Sequence, residues 1–92
     1  MTKLRTMVLE ELERRNYSQA TARTYVGAIA GFAAYFHCSP DQLGPEEIRQ
    51  YQLHLVGRDL DPRSIRLQTS AIRFFYRKVL RRPLLIFATG RF

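Results

Sequence analysis

The segment from Asp61 to Arg82 constrains the fold most, because its helical wheel carries two apolar arcs instead of one. At about 100° per residue, Ile65, Ile72, Phe75, Tyr76 and Val79 form one arc, and Leu67, Ala71 and Phe74 form a second. Between one edge of each arc runs a strip of Arg63, Arg66, Arg73, Arg77 and Arg81, with Ser70 among them. A helix that seeks burial on two sides has to be central to its domain, and only the cationic strip is left to face outward. Asp61 and Pro62 give it a start, a capping carboxylate followed by proline at the first helical position, and Pro83 gives it an end.

Three further segments have helical period. From about Lys3 to Arg15, Leu4, Met7, Val8 and Leu12 share one face, with Arg5, Glu10, Glu13 and Arg14 turned outward. Asn16 and Tyr17 break this helix, and Ser18 with Thr21 opens the next as an N-cap. From Gln19 to Phe36, Ala22, Tyr25, Ile29, Phe32 and Phe36 recur at three and four and read as the buried face. Ala20, Gly27, Gly31 and Ala34 leave the opposite face without bulk, which suits either a tight helix crossing or a DNA backbone passing close. His37 to Pro40 end that helix. Pro45, Glu46 and Glu47 start a third, running to about Val56 with Ile48, Tyr51, Gln52 and Leu55 inward, and Gly57 to Leu60 connect it to the last.

No strand pattern competes, apart from the four apolar residues Leu84 to Phe87, which could equally be a docking tail. The expectation is therefore an all-α, compact four-helix bundle. A chain of 92 residues, 46% hydrophobic and 25% charged, makes one domain with a modest core. Its single cysteine, Cys38, cannot form an internal bridge, and no apolar signal segment opens the chain, so a reducing, cytoplasmic setting is expected. The longest apolar run, Leu84 to Ala88, is far short of the roughly 20 residues a membrane span requires.

Charge is where function becomes legible. Residues 61–92 hold eight Lys and Arg against one Asp, whereas residues 1–60 balance seven against seven, so the net charge of +7 is local. Pairing within the last helix cannot neutralise its arginines, because Asp61 is the only acid there. A positive stripe without counter-charge is the footprint of a surface that lies against a phosphate backbone.

Enzymatic chemistry is not indicated. His37, His54 and Cys38 do not make a metal-ligand spacing, so neither a metal nor another cofactor is expected. The adjacent pairs Glu10–Glu11 and Glu46–Glu47 read as exposed or helix-dipole residues, and there is no phosphate-cradling glycine loop and no nucleophile elbow.

Two strings carry a resemblance. Ser18, Thr21, Tyr25, Phe32 and Phe36 make S-x-x-T-x-x-x-Y-x-x-x-x-x-x-F-x-x-x-F, and Ser70 to Tyr76 read S-A-I-R-F-F-Y. Together they resemble the N-terminal core-binding, SAM-like domain of tyrosine recombinases of the phage-integrase, Xer and integron-integrase kind, over about residues 4–82. The resemblance implies a four-helix domain, residues 1–83 here with a tail at 84–92, that forms half of a C-shaped clamp on a recombination half-site. Double-stranded DNA would be the partner, and the resemblance also admits other recombinase protomers on that DNA. The second and fourth helices would face the major groove, with Ser18, Thr21, Arg23 and Thr24 from the second and Arg63, Ser64, Arg66, Ser70, Arg73 and Arg77 from the fourth as DNA contacts. Recombination in that family needs a second, catalytic domain for which this chain has no room, so none of its tyrosines is expected to be a nucleophile, and neither a small-molecule substrate nor a membrane is implied. The alternative is a SAM-like helical protein-interaction module.

Overall fold

A computed structural model describes residues 2–81. It is all-α, and no strand occurs among the described residues. Four helices follow one another: α1, Thr2–Arg14; α2, Gln19–Phe36; α3, Pro45–Gly57, preceded by a 3₁₀ turn at Pro40–Gln42; and α4, Pro62–Phe74. The segment Leu84 to Phe87 lies outside the described residues.

The starts follow the local chemistry read from the sequence. Ser18 caps α2, its hydroxyl oxygen accepting the Thr21 amide at 3.1 Å. Asp61 caps α4 through the Arg63 amide at 3.0 Å, with Pro62 in the first turn. For α3, Pro45 opens the helix and Glu47 Oε1 reaches back to accept the Gly44 amide at 2.8 Å.

The stops use residues other than glycine. Asn16, His37 and Asp59 each take a left-handed φ, of 63°, 51° and 65°, at the ends of α1, α2 and α3. Asn and Asp tolerate this region best among residues with a Cβ, since their short polar chains bond locally. After α2, the Cys38 amide returns to the Ala33 carbonyl at 3.2 Å, which closes the last turn.

The central position inferred for the last helix holds. α4 packs most extensively on α2 and next on α3, while α1 packs on α2 and on the segment that continues α4. On the α2 side the Phe74 ring stands 5.5 Å from that of Tyr25, and the α3 side meets Thr69, whose hydroxyl accepts from Gln52 Nε2 at 3.2 Å. Val8, Leu12, Ile29, Phe32, Ile48, Leu55, Ile72, Phe75 and Tyr76 make the solvent-free centre. Burying a side chain of this size stabilises the fold by about 1.5–3 kcal/mol. Tyr76 also donates its hydroxyl to the Pro40 carbonyl, which ties the fourth helix to the α2–α3 connection.

Four expectations are corrected. First, α4 does not run as an α-helix to Arg82: Phe75–Val79 widen into a π-helical turn, marked by the Leu80 amide bonding to the Phe75 carbonyl at 2.9 Å. Two consecutive large rings, Phe75 and Tyr76, are both sequestered there, and the chain then leaves the helix at Arg81 with φ 58°. Second, Glu11 is buried, because on the wheel it falls between Met7 and Leu4, on the apolar face that also carries Val8 and Leu12. Arg15 Nε bonds its Oε2 at 2.7 Å, and Arg14 bonds its other oxygen. Third, on α2, Val26 and Ala28 are buried while Ala22, Tyr25 and Phe36 are half-buried, since α1, α3 and α4 all pack on α2 and its interior face is broader than one stripe. Fourth, Leu67 of the second apolar arc is 43% exposed, whereas Ala71 and Phe74 of the same arc are buried.

Candidate nucleic-acid interface

Along α4 the exposed strip survives burial of both flanks. Arg63, Ser64, Arg66, Ser70 and Arg77 are exposed, and Arg73 is half-buried. At 1.5 Å per residue, Arg63 to Arg77 spans roughly 20 Å, or about six base pairs of duplex at 3.4 Å each. Among the described residues, ion pairs join Glu11 to Arg14 and Arg15, and Glu46 to Arg49. Arg63, Arg66, Arg77 and Lys78 are in no such pair, so their charge is presented to solvent.

Arg81 does not belong to the strip. The wider π turn advances each residue by less than an α-helix does, and the left-handed Arg81 turns the chain away. The Arg15 hydrogen bond, with lesser help from the charges of Arg14, Arg15 and last Arg81, holds the Glu11 carboxyl below its usual range against the opposing effect of burial.

The start of α2 contributes hydroxyls and a helix end. Ser18 Oγ donates to Thr21 Oγ1 at 3.0 Å while capping the helix, and Thr24 Oγ1 donates to the Ala20 carbonyl at 3.0 Å. Ser18, Thr21 and Thr24 therefore each have a structural role in shaping this helix end. Arg23 and Thr24 are exposed, as is Ala20. The first turn of α2 carries no acid, so its positive dipole end is not offset. The small-residue face resolves into two halves. A Cβ at Gly31 would sit 3.2 Å from the Tyr51 hydroxyl, a close helix approach, whereas a Cβ at Gly27 would meet nothing within 4 Å. Gly27 opens to solvent three residues beyond Thr24 on the same face.

Three rings join the two elements. Tyr17, Tyr25 and Phe74 stand with centroids 5.8, 5.9 and 5.5 Å apart, two pairs edge to face and one tilted. Burial pushes the Tyr25 hydroxyl up from its ordinary range, and the neighbouring Tyr17 adds to that. Beside the rings opens a cleft of about 290 Å³ lined by Tyr17, Tyr25, Ser70, Arg73, Phe74, Arg77 and Lys78. The cleft thus brings Ser70, Arg73 and Arg77 together with Tyr17 and Tyr25, and its lining includes neither Arg63, Ser64 and Arg66, further toward the start of α4, nor Ser18, Thr21, Arg23 and Thr24 at the start of α2.

Sequence reasoning missed Tyr17 and Lys78. In the sequence Tyr17 reads only as a helix break, yet an aromatic residue immediately before an N-cap often packs back over the helix it precedes, which is the available signal. Lys78 lies outside an α-helical stripe drawn through Arg73 and Arg77, so no period argument singles it out. No group of three or more His, Cys, Asp and Glu that could hold a metal occurs among the described residues. No helix there is long and apolar enough to cross a membrane.

Comparison with known proteins gives this arrangement its context. Residues 4–86 match the family described as "Phage integrase, N-terminal SAM-like domain". A protein of Sinorhizobium fredii (strain NBRC 101917 / NGR234) named "Putative integrase/recombinase y4qK" is 40% identical over 83 residues, covering 89% of this chain and 27% of its own length. The chain therefore spans about a quarter of that relative. No solved structure matches significantly. A family match across nearly the whole chain, on an all-α frame of four helices, shows that it belongs to the N-terminal SAM-like domains of phage integrases.

Proposed function

We propose that this domain grips duplex DNA of a recombination half-site with α4 and the start of α2, and takes no part itself in cleaving or rejoining strands. The observation that carries the reading is the strip of Arg63, Arg66, Arg73 and Arg77, flanked by buried faces on both sides of α4. A B-DNA major groove, about 12 Å wide, admits one helix. With α4 along the groove, the arginines reach phosphates on its walls or guanine edges on its floor. Ser18, Thr21 and Thr24 sit at a helix end suited to positioning a phosphate, with Arg23 beside them, and Gly27 leaves room for a close backbone approach. Ser64 and Ser70 would make neutral contacts along the strip. In a longer protein named as its relative is, this grip would hold the site for a catalytic domain, with the DNA enclosed between the two.

The test is Arg66→Ala combined with Arg77→Ala. Both side chains are exposed, so their loss leaves the core intact, whereas Arg73 is half-buried and would confound binding with folding. Expected are weaker duplex binding across all sequences, a salt slope reduced by about 2, and unchanged helicity by circular dichroism. Undiminished affinity would refute the grip.

A second reading has its own observation. Leu53 and Val56 stand 68% and 61% exposed one turn apart on α3. Such a patch suits a protein partner, another recombinase protomer on the same DNA being the first candidate. Leu53→Ser with Val56→Ser would then abolish self-association on long duplexes while sparing binding to a short one.

A further inference from the structure

We infer that the cleft beside the Tyr17–Tyr25–Phe74 cluster is a receptor for a single unpaired nucleotide of the bound DNA, its base against the tyrosines and its phosphate among Arg73, Arg77 and Lys78. The inference deepens the duplex-binding reading and rests on it.

The lining combines two chemistries. It holds the rings of Tyr17 and Tyr25, the former 40% exposed, together with the largely buried Phe74. It also holds the guanidiniums of Arg73 and Arg77, the Lys78 ammonium and the Ser70 hydroxyl. No carboxylate lines it, so the cleft favours an anion. Its volume of about 290 Å³ is near the lower end of small-molecule sites, which suits one nucleotide and excludes a duplex.

A backbone phosphate alone would use the cations and leave the rings idle. A neutral aromatic ligand would use the rings and leave the charges of Arg77 and Lys78 unanswered. A nucleotide turned out of the stack satisfies both the rings and the cations, and base-on-aromatic packing tolerates any base because every base has a π face. The placement is also continuous with the proposed grip, since Ser70, Arg73 and Arg77 belong to the same strip that follows the duplex.

The experiment compares a fully paired duplex with the same duplex carrying one extra, unpaired 2-aminopurine nucleotide, using fluorescence anisotropy for affinity and the 2-aminopurine emission as a report of stacking. Expected are roughly tenfold tighter binding to the bulged duplex, equivalent to one base–aromatic stack, and quenched emission on binding. Tyr17→Leu keeps apolar bulk over Phe74 and Tyr25 but removes the ring face. It should erase both the preference and the additional quenching while holding affinity for the paired duplex within about twofold. A bulge bends DNA, so a preference that persists in Tyr17→Leu would assign it to DNA flexibility and overturn the receptor. Equal binding of both duplexes without quenching would overturn the receptor and leave the duplex grip standing, whereas absence of binding to either would overturn both.

Discussion

The two glycines inside α2 give the sharpest test of the structure, because they stand one turn apart in the same helix and differ only in what lies opposite. Glycine in a helix interior costs about 1 kcal/mol relative to alanine, chiefly through the larger conformational freedom it loses. At Gly27 an added Cβ meets nothing within 4 Å, so Gly27→Ala should recover nearly all of this, about 1 kcal/mol. At Gly31 the new methyl would stand 3.2 Å from the Tyr51 hydroxyl, closer than ordinary van der Waals contact. Tyr51 has little freedom to retreat. It is buried, with its ring against Phe32 at 5.3 Å and Tyr35 at 5.4 Å. Overpacking of a fitted core typically costs about 1–3 kcal/mol, which cancels or exceeds the helix gain. Thermal unfolding at fixed protein concentration reads the difference, since about 1 kcal/mol moves Tm by about 4–8 °C in a domain of this size. The structure expects Gly27→Ala to raise Tm by that amount and Gly31→Ala to leave it unchanged or lower it. Equal stabilisation at both positions would refute the close α2–α3 approach, and destabilisation by Gly27→Ala would refute the open face.

Two further substitutions probe the interior. Tyr76→Phe removes one of the two hydrogen bonds to the Pro40 carbonyl, which keeps the Leu43 amide at 3.2 Å, and should cost about 0.5–1.5 kcal/mol by urea denaturation with little change in m-value. Glu11 tests linkage. Its folded-state pKa lies below its ordinary value of 4.5, so the ionised carboxyl stabilises the fold above that value, and the contribution is lost as pH falls through the lowered one. Acidification should therefore destabilise the native chain more steeply than Glu11→Gln in that window, and parallel curves would show that the Arg14 and Arg15 pairs contribute nothing.

How much was legible follows from which interactions are local. The helix starts were readable because Ser18, Asp61–Pro62 and Pro45 act within three residues of themselves. Centrality of α4 was readable too, since two apolar arcs on one wheel require two partners. The π turn was not. It arises where Phe75 and Tyr76 are accommodated side by side in the core, a tertiary demand with no glycine or proline to announce it. The displacement of Arg81 from the strip follows from that turn. Glu11 shows the same limit, because a carboxylate flanked by Glu10 and Glu13 looks solvated until its helix is rotated onto its neighbours. At the interface, period alone aligned the arginines, but only folding placed Tyr17, across the α1–α2 turn, against Phe74 of the last helix.

The central claim is that this cationic face binds duplex DNA through its phosphates. Titrating the chain into labelled random-sequence duplex between about 50 and 200 mM salt tests it most directly. Six cations lie on or beside the proposed surface: Arg23, Arg63, Arg66, Arg73, Arg77 and Lys78. At roughly −0.9 per neutralised phosphate the account expects a slope of log K against log salt of about −5, a loss of about a thousandfold across that range. A slope near zero, or no binding at the lowest salt, would contradict it.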